Sequence, residues 1–157
     1  MRMFFIAAIL LQQTSAPPRP RPLPQLPLQR FIDDMRSKNL KDVLALYAPT
    51  AVFVDPSGKT FATPKALRQI YENTFASYDS YLTLHPVGTN LKGDPPEPGA
   101  VVVQNGNYSE DLRDRATKVV NKFCGIYTIS WVHQEEHLWL ITRMEWTSNP
   151  CPATPVK

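Results

Sequence analysis

Apolar positions recur every three or four residues in the first half of this chain, and in short alternating or continuous runs after residue 80. The first pattern predicts helices and the second strands. Leu28, Phe31, Ile32 and Met35 share one helical face, with Arg30, Asp33, Asp34 and Arg36 outside it, so a helix starts near Pro27 and ends at Ser37-Lys38-Asn39. A second short helix turns Leu40, Val43, Leu44 and Tyr47 inward. Ala51 to Asp55 reads as a strand, and Pro56-Ser57-Gly58-Lys59 as a turn. Thr63-Pro64 starts a third helix, a capping hydroxyl followed by proline at the first helical position, with Leu67, Ile70, Tyr71 and Phe75 on its inner stripe. Strand runs follow at Tyr81–Leu91, Ala100–Val103, Val119–Val132 and Leu138–Trp146. A Pro/Gly loop covers 92–99, and His133 to His137 forms a hairpin tip. The mixed-charge run Glu110-Asp111-Leu112-Arg113-Asp114-Arg115 reads as a solvated loop or strand edge.

This order predicts an α+β fold. Antiparallel strands make a sheet with one face to bury, and the amphipathic helices are what can bury it. A strongly curved sheet forms a cone, closed by the three N-terminal helices around an interior hollow.

Four segments divide the chain. Arg2, the apolar run Met3 to Leu11 and the small residues Thr14-Ser15-Ala16 have the pattern of a signal peptide over 1–16. That run is far short of the ~20 residues needed to span a bilayer, so no stable membrane anchor is expected. Residues 17–27 are Pro-rich and read as a stiff polyproline II spacer. Arg21-Pro22-Leu23-Pro24-Gln25-Leu26-Pro27 also has the spacing of a Src-homology-3 ligand, a basic residue and then two prolines three apart, a role that export would preclude. The folded domain covers 28–148 and a tail 149–157, bounded by Pro150 and Pro152. Export places the protein outside the cell, or in the periplasm of a bacterium. There, the two cysteines, Cys124 and Cys151, can form a disulfide pinning the tail to the sheet; the alternative is one buried and one exposed thiol. The formal charge of +3 is spread among acids rather than clustered, which argues against nucleic acid as a partner.

Leu40 to Ala48, the run Ala51-Val52-Phe53-Val54-Asp55-Pro56-Ser57-Gly58, the helix carrying Ala66 to Tyr71, and Trp139-Leu140-Ile141 together resemble the nuclear transport factor 2-like superfamily over about residues 28–148. That group includes ketosteroid isomerase, scytalone dehydratase and the SnoaL-like cyclases. The resemblance implies a cone-shaped fold, and homodimers through sheet-to-sheet pairing. It implies little about activity, because this fold hosts enzymes, binding modules and assembly domains.

Asp55 is the leading catalytic candidate. It shares strand parity with Phe53, and a carboxylate in an apolar hollow can act as a general base. The resemblance adds that Asp55-Pro56 matches the proton-shuttling Asp-Pro of ketosteroid isomerase. The competing reading is an Asp that starts the turn by accepting backbone N–H bonds. The rest of the isomerase set is missing: Phe31 stands where its tyrosine would, and Tyr127-Thr128-Ile129 where its second Asp would. One lost oxyanion donor typically costs about 10²–10³ in rate. Phe31, Tyr47, Phe53, Tyr71 and Trp139 are expected to line the hollow. Arg143 and Glu145 share parity with Trp139 and Ile141, so they form either an inward polar pair or an exposed cross-strand ion pair. His133-Gln134-Glu135-Glu136-His137 matches a zinc pattern that works only on a helix; between two strands it is not read as a metal site. Asn107-Tyr108-Ser109 is a glycosylation acceptor sequence in a eukaryotic host. No cofactor motif is present. These readings converge on an exported, non-catalytic module that binds a small hydrophobic ligand or pairs with a copy of itself or a partner. The rival is an isomerase, dehydratase or cyclase using Asp55, assisted by Tyr47, Tyr71, Arg143 or Glu145.

Overall fold

A computed structural model of the protein describes residues 25–92, 97–135 and 138–152, without the side chains of 91 and 92. The segment read as a signal peptide, most of the stretch read as a spacer, residues 93–96, Glu136, His137 and the last five residues lie outside the described part. Three helices, α1 (Leu28–Ser37), α2 (Leu40–Ala45) and α3 (Pro64–Ser77), pack on a six-stranded sheet. Its strands are β1 (Tyr47–Val54), β2 (Thr60–Phe61), β3 (Tyr78–Lys92), β4 (Val101–Asp114), β5 (Val120–His133) and β6 (Trp139–Asn149), in the order β2-β1-β6-β5-β4-β3. All neighbours are antiparallel except β1 and β6. This is the α+β cone expected from the pattern.

Local bonds fix the end of α1 and the start of α3. Lys38 takes a left-handed conformation (φ 58°) that ends α1, and its N–H bonds back to Met35 O. Its ammonium pairs with Asp79 on β3, clamping the end of α1 to the sheet and holding the Asp79 carboxyl below its usual range. Thr63 Oγ1 accepts from Ala66 N–H at 3.1 Å and caps α3. The buried residues lie on the expected faces, Leu28, Phe31 and Met35 on α1, Val43 on α2, and Leu67, Tyr71 and Phe75 on α3, but Tyr47, expected on the second helix, instead begins β1. They meet Tyr127, Ile129, Trp131, Ile141 and Met144 from the sheet, all fully buried. Each such side chain contributes about 1.5–3 kcal/mol by leaving water.

The strands run longer than their apolar runs. β4 continues through Glu110 to Asp114, paired with both β3 and β5 along its length. Most of the mixed-charge run is therefore the last third of a central strand, with Tyr108, Glu110 and Leu112 alternating on one face. Among three register irregularities in the sheet, one lies between Tyr47 and Val52 where β1 pairs with β6, and two are single inserted residues. An extra residue, Val87, interrupts the pairing of β3 with β4, and another, Thr142, interrupts β6 against β5. Thr142 Oγ1 donates to Ser130 O at 3.1 Å across the second bulge. Glycines let the strands approach further: a Cβ on Gly125 would lie 1.7 Å from Thr147 O, and one on Gly106 2.2 Å from His85 O. Cys124 and Cys151 are joined in a disulfide, Cα atoms 5.0 Å apart, which ties the end of the chain to β5. No helix among the described residues is long and apolar enough to cross a membrane.

Candidate functional site

The helices do not fill the mouth of the cone. A hollow of about 270 Å³ remains between α1, α3 and the sheet. Phe31 and Met35 line it from α1, Ile70, Tyr71 and Thr74 from α3, and Phe53 and Pro56 from β1 and its turn. The sheet adds Leu82 from β3, the inward row Tyr108, Glu110 and Leu112 from β4, Phe123 from β5 and Trp146 from β6. The wall is apolar and largely aromatic, with one carboxyl group.

That carboxyl belongs to Glu110. Ser80 Oγ on β3 donates to Glu110 Oε1 at 2.6 Å. Removal from water raises the Glu110 pKa above the ordinary 4.5, and the Ser80 hydrogen bond offsets only part of this. Beside it stands Tyr108, 5% exposed, whose hydroxyl is buried with no hydrogen-bond partner among the described residues. Its ring packs edge-on against Trp146, centroids 4.8 Å apart. Two reciprocal pairs across β4 and β5 set this geometry: Tyr108 faces Gly125, and Tyr127 faces Gly106. Each ring lies where the other strand has no side chain. Burial also pushes Tyr127 up to about 12, and its hydroxyl too lacks a partner among the described residues.

The residues singled out in the sequence fall into three groups. Phe31, Phe53 and Tyr71 line the hollow. Tyr47 stands behind it: its hydroxyl hydrogen-bonds that of Tyr71 at 2.5 Å and donates to Met144 Sδ, and its ring borders a separate surface depression with Leu44 and Leu67. Trp139 is buried at the closed end against the His133 ring, away from the hollow. His133 itself ends β5, with Nδ1 3.2 Å from Glu97 O.

Arg143 and Glu145 neither line the hollow nor share the inward face of Trp139 and Ile141. Trp139 and Ile141 point inward, but Thr142 is the inserted residue of the bulge, so the alternation reverses beyond it. Met144 and Trp146 then take the inward positions. Arg143 and Glu145 form an ion pair at 3.0 Å with side chains 49% and 41% exposed.

Asp55 also departs from the inward placement. β1 ends at Val54, and the Asp55 carboxylate accepts from Ser57 N–H, Ser57 Oγ and Lys59 N–H, at 2.6 to 3.0 Å. These bonds, that from the Ser57 hydroxyl first, hold its pKa below the ordinary value. The carboxylate organises the turn that carries Pro56 to the rim. The signal that could have found Glu110 instead is its parity with Tyr108 and Leu112, hidden by reading the charged run as solvated. Asn107, of opposite parity, is exposed on the outer face.

The SnoaL-like domain family matches residues 28–131. The chain belongs to the SnoaL-like domain family. No curated protein matches it in sequence. Solved structures share its nuclear transport factor 2-like fold at low identity. A conserved protein from Planctomyces limnophilus is 13% identical with a TM-score of 0.67, covering 79% of this chain and 91% of that one. A nuclear transport factor 2-like superfamily protein from Salmonella enterica is 13% identical with a TM-score of 0.64, over 82% and 89%. A ketosteroid isomerase-like protein from Erwinia carotovora is 14% identical with a TM-score of 0.62, over 79% and 92%. The shared fold does not by itself specify a function.

Proposed function

We propose that this SnoaL-like chain is an exported binding module that holds a small, largely apolar molecule in the hollow of its cone. The observation that carries this reading is the hollow itself, about 270 Å³, walled by aromatic and aliphatic side chains with a single carboxyl group. Such a concave apolar site with one placed polar group is the usual form of a small-molecule site. The Cys124–Cys151 disulfide agrees with an oxidising compartment. A neutral fluorophore, N-phenyl-1-naphthylamine, tests the reading. Its emission should rise on addition of protein, and Trp146 emission should be quenched. Thr74→Trp, which fills the hollow from α3, should abolish both changes. No response with the wild type, or one that survives Thr74→Trp, would remove the reading.

One observation favours a second reading. A carboxyl of raised pKa in an apolar pocket is a competent proton-transfer group. The isomerase, dehydratase or cyclase alternative therefore belongs to Glu110 rather than Asp55. Deuterium exchange into enolisable ketones, lost in Glu110→Gln, would support it. Self-pairing through the outer face of the sheet, where Ile126 is 44% exposed, is a separate proposal that light scattering decides.

A further inference from the structure

The lining of the hollow has a definite electrostatic sign. Among its residues Glu110 is the only acidic one, and no Lys, Arg or His is among them. The other titratable groups in the wall are the hydroxyls of Tyr71 and Tyr108, both raised by burial. The negative charge of Glu110 reaches both and raises them further. Among the described residues no ion pair involves Glu110, and its one hydrogen-bond partner is the neutral Ser80. Among the described residues, a carboxyl group is thus removed from water with no cation set against it. Around that group stand the rings of Phe31, Phe53, Tyr71, Tyr108, Phe123 and Trp146, whose faces attract positive charge. The Tyr108 hydroxyl adds a buried oxygen without a partner among the described residues.

A cation satisfies these features together. An ammonium can donate to the Glu110 carboxylate and to Tyr108 Oη while its hydrocarbon portion meets the rings. A neutral alcohol leaves the carboxylate without a counter-charge. A carboxylic acid anion brings a second negative charge beside the first. We propose that the ligand of the hollow is a small lipophilic amine, its ammonium held by Glu110 and its apolar body enclosed by the aromatic wall. This deepens the binding reading above and rests on it.

Three probes of similar shape and different charge test it: 2-phenylethylamine, 2-phenylethanol and phenylacetate, titrated calorimetrically into the purified protein at about pH 8, where the amine is cationic. The amine should bind about tenfold or more tightly than the alcohol, and phenylacetate more weakly than either. Glu110→Gln, nearly isosteric, should bring the amine to within about twofold of the alcohol. Binding of the alcohol as tight as that of the amine in the wild type would overturn the amine assignment and leave the hollow a hydrophobic site. An amine preference that survives Glu110→Gln would also overturn it. If neither the probes nor the fluorophore bind, the binding reading itself falls. The wild-type comparison needs no variant, so it stands even where Glu110→Gln folds poorly.

Discussion

The ring of Tyr108 lies over Gly125, its direct partner across β4 and β5, and a Cβ placed on Gly125 would come within 2.8 Å of Tyr108 Cε1. The same Cβ would sit 1.7 Å from Thr147 O on β6, a contact that backbone cannot yield without moving. One glycine thus holds three strands at their spacing and aims a tyrosine at the hollow.

Gly125→Ala should therefore be among the most damaging single-methyl additions in this chain. Overpacking typically costs about 1–3 kcal/mol, and the upper end is expected here because the obstacle is backbone. Urea titration gives the value. A loss below about 0.5 kcal/mol would show that β6 can slide away freely.

Glu110→Gln should change how stability depends on pH. Burial raises the Glu110 pKa in the folded state above 4.5, so the folded protein keeps this proton to higher pH than the unfolded chain. Between those two values unfolding releases a proton, and stability falls as pH rises. Glutamine has no proton to lose. Relative to wild type, the variant should gain stability from about pH 4 toward neutrality, read from thermal melts at successive pH values. A constant difference across that range would show that Glu110 is solvated.

Asp55→Ala tests the turn against a catalytic role. The carboxylate's hydrogen bonds to Ser57 and Lys59 lower its pKa, so their contribution is full above the ordinary 3.8 and is lost as pH falls through the folded value. The variant should lose about 1 kcal/mol at neutral pH and progressively less in acid. Fluorophore binding should persist. Loss of binding with unchanged stability would return Asp55 to the site.

Removing the disulfide with Cys124→Ser and Cys151→Ser together should lower stability by about 2–4 kcal/mol, the range expected for a loop closed over 27 residues. Because Phe123, next to Cys124, lines the hollow, the paired variant should also weaken fluorophore binding. Identical melting with and without reductant would place the tail's hold elsewhere.

The amphipathic stripes of α1 and α3, the Thr63 cap, the strand runs after residue 80 and the Cys124–Cys151 pairing were legible in the chain, because each depends on spacing along a few residues or on there being two cysteines to pair. The strand containing Glu110 was half legible: its charges resemble a solvated edge, while its alternation with Tyr108 and Leu112 marks an inward row. Nothing local announced the bulge at Thr142, which turns Arg143 and Glu145 outward and Met144 and Trp146 inward.

By itself the sequence determined most of the helices and strands, which helical faces are apolar, and the kind of fold that can bury them; it did not show β2 or the charged end of β4. Tertiary structure alone decided which carboxyl faces the hollow, Glu110 rather than Asp55, and which end of β6 lines it. The physical reason is that strand parity is a two-residue code that one inserted residue inverts. Whether a residue is inserted depends on hydrogen bonding to a neighbouring strand far away in the chain.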